Sequence, residues 1–308
     1  MILVDFDPNE GYPRLGLVIE GQRVVEVGES PNGTLMSLIL NGQHRMDDLR
    51  EVALTGKPII NGRERRVFDL ASVRLHAPIR NPRSLRDFYA FEAHVKTANA
   101  NRGRDVPPAW YDIPVFYFSN PNAIFGESDT IPYPRKSKAL DYELEVACII
   151  GKQGQDIPAD AAEDYIFGYV IMNDWSARDL QKQEMSVGLG PAKGKDFATS
   201  LGAYLVTPDE LADRHTGRVG VYDLSMVARV NGEERSRGNW ADIYWSFGQM
   251  LERASDGVTL YPGEVIGSGT VGTGCLLETT RAQGPWLQSG DVVELEIERL
   301  GILRNAIL

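Results

Sequence analysis

Strand-like segments dominate this chain and do not alternate regularly with helices, which limits its folds more than any other feature. Apolar or alternating runs at residues 140–151, 201–206, 222–230, 264–267, 291–299 and 301–307 are often bounded by glycine. Residues 1–28 alternate apolar and polar positions between glycine and proline breaks. A doubly wound fold needs a helix after each strand. The order here implies a β-rich α+β chain, with a sheet or barrel and peripheral helices. Helical character is expected in residues 34–56, in 84–99 with Ser84 as a cap, and in 238–257, the clearest amphipathic stretch. Residues 158–181 read as a short acidic helix, a buried strand and a polar turn. The texture changes at HAPIRNPRS (76–84), so a small N-terminal domain (1–75) and a larger domain (76–308) are expected.

Composition removes several functional classes. The 308 residues carry a net charge of −11 and no basic run of useful length, which argues against phosphate-backbone binding. The two cysteines, Cys148 and Cys275, lie far apart without a CxxC partner, so neither a disulfide framework nor a cysteine zinc site is implied. The start, MILVDFDPNE, lacks the basic region of a signal peptide, and the apolar runs fall short of a membrane span. A cytoplasmic protein without nucleic-acid or membrane partners is expected.

The chemistry-bearing residues are mostly carboxylates. GSGTVG (267–272) matches a dinucleotide fingerprint, but the segment after it is too short for the helix that would face a pyrophosphate. GPAKGKD fails as a phosphate loop. Glu143 and Glu145 are two apart, on one face of a strand that continues into VACII. Such a pair is either a solvated strand end or a place for a cation, and oxygen ligands favour Mg²⁺, Ca²⁺ or Mn²⁺. Asp174, in VIMNDWSARDLQ, is either a third such carboxylate or a helix cap, with Arg178 and Gln181 as donors to an anion. Asp87, Phe91 and His94 have the spacing of one helix face, which places a carboxylate beside a histidine. Lys195 comes after two glycines in a loop and is either solvated or turned toward a substrate. Tyr89 and Tyr117 are either core residues or donors. This set suits metal-assisted chemistry on an oxygen-rich anion.

Together, DFYAFEAH (87–94), DYELEVACIIG (141–151), MNDWSARDLQ (172–181), GPAKGKDFATSLG (190–202), IGSGTVGTGCLLE (266–278) and SGDVVELEIERLGILRN (289–305) resemble the fumarylacetoacetate hydrolase family. The resemblance implies a mixed β-sandwich roll as the C-terminal domain, a small β-containing N-terminal domain, a homodimer and one divalent cation, Mg²⁺ before Mn²⁺ or Ca²⁺. The family's metal carboxylates fall on Asp87, Glu143, Glu145 and Asp174. Its general base falls on His94, oriented by Glu278, and its oxyanion donors on Arg178, Gln181 and Lys195. Tyr89, Tyr117 and Thr270 take the substrate-contacting positions. A carboxylate-clamping arginine falls in NRGRD, on Arg102 or Arg104, with Arg104 taken for the role. The implied activity is hydrolysis of a C–C bond in a small anionic 1,3-dicarbonyl, such as fumarylacetoacetate or another acylpyruvate. Decarboxylation or tautomerisation of a 2-oxo acid on the same scaffold is the alternative. A metabolite-binding protein without activity would have no need for a general base.

Overall fold

Residues 144–150 form a strand that is buried at every position, and burial on both faces explains its unbroken apolar run. Val146, Cys148 and Ile150 join one core with Tyr169, Ile171, Met226, Leu295 and Leu303. Ala147 and Ile149 point the other way, into a second core with Val170, Leu3, Leu17, Leu38 and Leu49. Each Val, Leu, Ile or Met among them taken fully out of water contributes roughly 1.5–3 kcal/mol. The computed structural model describes residues 1–28 and 33–308.

Among the described residues, thirteen strands form the main sheet. Its path runs Val67–Asp69, Arg23–Glu26, Arg14–Ile19, Ile2–Asp7, Leu205–Val206, Ile166–Asp174, Leu144–Ile150, Val265–Gly267, Leu85–Phe88 and Phe116–Ser119. A five-stranded sheet, centred on Ser225–Val230, Val292–Ile297 and Gly301–Ile307, packs on one face. The helices Leu35–Asn41 and Met46–Thr55 pack on the other. Strand pairing crosses residue 75: Ile2 pairs with Val206, and Leu3 with Leu205. The architecture is the expected β-rich α+β arrangement with peripheral helices.

Three local expectations change. The segment 84–99 is not one helix. Leu85–Phe88 is a strand, parallel to Val265–Gly267 and antiparallel to Phe116–Ser119, and the helix begins only at Glu92. Pairing with two strands distant in sequence outweighs local helix propensity there. Asp87 and His94 therefore do not share a helix face. The 238–257 helix contracts to Phe247–Ser255, where Ser246 and Gln249 form a reciprocal capping box. Beyond the polar turn after Asp174, Arg178–Ser186 is a helix.

Candidate active site

Side-chain alternation builds the site. Leu85, Ala147 and Met172 all face the core that the N-terminal helices cover. Asp87, Glu145 and Asp174 lie two residues from them on the same three strands, and so on the same face. One oxygen from each of these carboxylates lies within 4.8 Å of the others. Gly267 pairs with both Asp87 and Ala147. A Cβ there would collide with the Met172 methyl and stand 2.6 Å from Asp87 Oδ1. Gly269, at φ +78°, donates its N–H to Asp87 Oδ1 and to Glu145 Oε2, each at 3.1 Å. The glycines of GSGTVG thus let backbone approach the carboxylates.

The electrostatics divide these acids into two kinds. Burial pushes the Asp87 and Glu145 carboxyls well up, and the neighbouring carboxylates push them further. Burial also raises Asp174, against the pull of Lys195. Glu143 goes the other way. Its burial is outweighed by Lys195 and then Arg178, which hold it well below the ordinary range. The Lys195 ammonium donates to both Glu143 and Asp174. It is 4% exposed, so it is not a solvated loop lysine. Tyr117 donates to Asp174 Oδ2 at 2.6 Å, while Asp174 Oδ1 is buried without a hydrogen-bond partner. Neither Asp174 nor Ser176 caps the next helix, whose N-cap is Ala177. Three buried, mutually repelling carboxylates and one unpartnered oxygen fit a cation that prefers oxygen ligands.

A second group stands beside the first. His94 Nδ1 is bound to Glu278 Oε1, and Glu278 Oε2 accepts the Thr273 N–H at 2.9 Å. Both side chains are nearly buried, and the imidazole reaches a cavity of about 340 Å³. Tyr89 meets the imidazole edge-on with ring centroids 5.3 Å apart, and burial pushes its hydroxyl up to about 12. Arg178 donates through Nε to Asp141 Oδ2 at 2.8 Å and through Nη1 to Gln181 at 3.2 Å. It also ion-pairs with Glu143 at 2.8 Å.

The cavity collects most of the expected residues: Asp87, Tyr89, His94, Tyr117, Glu143, Glu145, Arg178, Gln181, Lys195 and Thr270 line it. Thr270 donates to Glu145 at 3.4 Å. Asp174 lies behind Tyr117, and Glu278 behind His94. Of the two arginines in NRGRD, Arg102 lines the cavity and Arg104 does not. The backbone turns between them at Gly103, which has φ +67°. Asp141 was missed by sequence reasoning. Its carboxylate holds Arg178 and accepts the N–H groups of Leu276 and Leu277 at 2.8 and 3.0 Å, which ties Arg178 to the helix that carries Glu278. The two-residue spacing of Asp141, Glu143 and Glu145 was the signal for it. The apolar walls, among them Ala98, Val115, Met185 and Leu277, carried no such signal.

Residues 84–308 match the family model described as fumarylacetoacetate (FAA) hydrolase C-terminal. The chain belongs to the fumarylacetoacetate hydrolase family. Members of this family are enzymes. The relatives include the oxaloacetate tautomerase YisK of Bacillus subtilis, 28% identical over 319 residues, covering 98% of this chain and 99% of that protein. Among solved structures, a fumarylacetoacetate hydrolase from Exiguobacterium antarcticum aligns with TM-score 0.76 and 27% identity, covering 100% of this chain and 99% of the other. A 5-carboxymethyl-2-hydroxymuconate delta-isomerase from Mycobacterium smegmatis aligns with TM-score 0.70 and 28% identity at the same coverage. Family members similar to this chain thus include hydrolases, isomerases and tautomerases. Among the described residues, no helix is long and apolar enough to cross a membrane.

Proposed function

We propose that this protein is a divalent-metal-dependent hydrolase of a C–C bond in a small anionic 1,3-dicarbonyl, an acylpyruvate in the broad sense. The observation that carries the reading is the His94–Glu278 pair, which opens onto the same cavity as the carboxylate trio. Asp87, Glu145 and Asp174, with Glu143 at their edge, would hold one divalent cation, Mg²⁺ before Mn²⁺ or Ca²⁺. When bound, that ion would hold two substrate oxygens and lower the energy of the departing enolate. Glu278 engages His94 Nδ1, which leaves Nε2 to take a proton from water. The resulting hydroxide adds to the distal carbonyl. Lys195, Gln181 and Arg178 meet the developing alkoxide, a type of contact worth roughly 3–4 kcal/mol per donor. Collapse breaks the C–C bond, giving a carboxylic acid and the enolate of pyruvate, which takes a proton at carbon. Arg102, at the cavity wall, would receive a substrate carboxylate.

The end-to-end likeness to the oxaloacetate tautomerase YisK of B. subtilis supports a second reading. In it the same residues move a proton between the carbon and oxygen of a 2-oxo acid, and no bond between carbons breaks. An absorbance assay on metal-stripped protein separates the two. Metal-dependent conversion of an acylpyruvate to pyruvate and a carboxylic acid supports hydrolysis. Loss of enol absorbance from oxaloacetate without cleavage of any acylpyruvate overturns it in favour of tautomerisation. We also propose a homodimer, on the family likeness, which light scattering on the eluted protein tests.

A further inference from the structure

Cys275 lies beside the His94–Glu278 pair, and neither proposed reaction uses it. Its Sγ is fully buried and stands 3.6 Å from Glu278 Oε1. One ligand atom each from His94, Cys275 and Glu278 falls within 4.8 Å of the other two. These are an imidazole nitrogen, a sulfur and a carboxylate oxygen, a different donor set from the all-oxygen trio across the cavity.

We propose that His94, Cys275 and Glu278 form a second metal site, selective for zinc-like ions over Mg²⁺, and that its occupation shuts the active site. The donor chemistry supports the selectivity. Mixed nitrogen, sulfur and oxygen ligands suit Zn²⁺ or Co²⁺, whereas Mg²⁺ favours oxygen alone. The geometry supports the fit. Ligand bonds of about 2.3 Å to sulfur and about 2.1 Å to oxygen at a tetrahedral angle put S and O roughly 3.6 Å apart. Cys275 and Glu278 already have that separation. The imidazole has only to draw back from its hydrogen bond to the roughly 3.4 Å that separates N and O ligands on one ion. The Thr273 N–H on Glu278 Oε2 fixes the carboxylate from behind, as an outer partner of a metal ligand does. Three protein ligands leave one position for water. Binding expels the thiol proton and the Nδ1 proton, with no change of oxidation state. It also replaces the contact by which Glu278 orients His94, which is why catalysis stops. The loss of catalysis rests on the role given to His94 above, while the metal site does not.

The test uses reduced, metal-stripped full-length protein with millimolar Mg²⁺ present to fill the oxygen site. Titration with Co²⁺ should produce a thiolate-to-cobalt charge-transfer band in the near ultraviolet. The band should vanish in Cys275→Ser and Cys275→Ala and persist in Asp174→Asn. Zn²⁺ should abolish it by displacement. In the activity assay, the Zn²⁺ concentration for half-inhibition should rise at least tenfold in Cys275→Ser. No band in the wild type overturns the site, as does a band that survives in both Cys275 variants. A band without Zn²⁺ inhibition of an active enzyme keeps the metal site and overturns the shut-off. If no substrate turns over, the band still decides the site and only the functional reading fails.

Discussion

Replacing Glu145 by Gln should make the metal-free protein more stable. Glu145 is fully buried, and its nearest charged neighbours, Asp87 and Asp174, are also acids. Two unit charges 4.8 Å apart repel by about 3–4 kcal/mol even at an effective dielectric of 20. Burial and these neighbours raise its pKa, so the folded protein holds a proton on the group at higher pH than the unfolded chain does. Taking a proton from solution at pH 7, for a Glu that ionises near 4.3 when unfolded, costs about 4 kcal/mol. That cost is the ceiling on what Gln can return. The amide retains one oxygen for the Gly269 N–H but loses part of the contact with Thr270, which takes back about 1 kcal/mol. A net gain of about 1–3 kcal/mol remains. The sign comes from the raised pKa: the folded state holds a proton that the unfolded state releases above about pH 4. The advantage of Gln should therefore be near zero at pH 4 and grow toward pH 7. Urea denaturation in chelator at both pH values measures this. A divalent ion should reverse the order, since it stabilises the wild type by about 4 kcal/mol at a thousand times its dissociation constant and barely binds the variant. A metal-free variant that is less stable than wild type at pH 7, or a gain that does not change with pH, would refute this electrostatic account.

The same geometry sets three further outcomes. His94→Ala and Glu278→Gln should each lower kcat for acylpyruvate cleavage by about 10²–10⁴-fold, with metal affinity at the carboxylate trio kept, as calorimetry with Mn²⁺ would show. Asp141→Ala leaves the buried Arg178, the buried Leu276 N–H and the half-buried Leu277 N–H without their shared acceptor, so it should cost about 3–5 kcal/mol in urea denaturation. Gly267→Ala puts a methyl against Asp87 and Met172, so metal affinity should fall by at least tenfold while circular dichroism stays that of the folded protein.

The carboxylates were legible in the sequence because strand alternation is a local rule. Glu145 sits in DYELE beside an apolar run that marks its strand as buried, while Glu143 lies just before the first strand residue, Leu144. Spacing singled out Asp87 and His94, and the family likeness added Glu278; Asp87 and His94 line the cavity, with Glu278 behind His94. The helix drawn through Asp87 and His94 was mistaken, because local spacing cannot reveal that Leu85–Phe88 pairs with Phe116–Ser119 and Val265–Gly267. Asp141 carried the same spacing signal, but its partners Arg178, Leu276 and Leu277 come from elsewhere in the chain.

By itself the sequence determined which apolar runs could be buried and which acids stand two apart, since these depend on neighbours a few positions away. Only the tertiary structure decided that Lys195 joins Glu143 to Asp174, that Arg102 and not Arg104 lines the cavity, and that His94 stands beside Cys275 and Glu278. Those contacts join segments tens to hundreds of residues apart. The folded sheet, rather than any local preference, fixes their distances, and at those distances charge and ligation decide the chemistry.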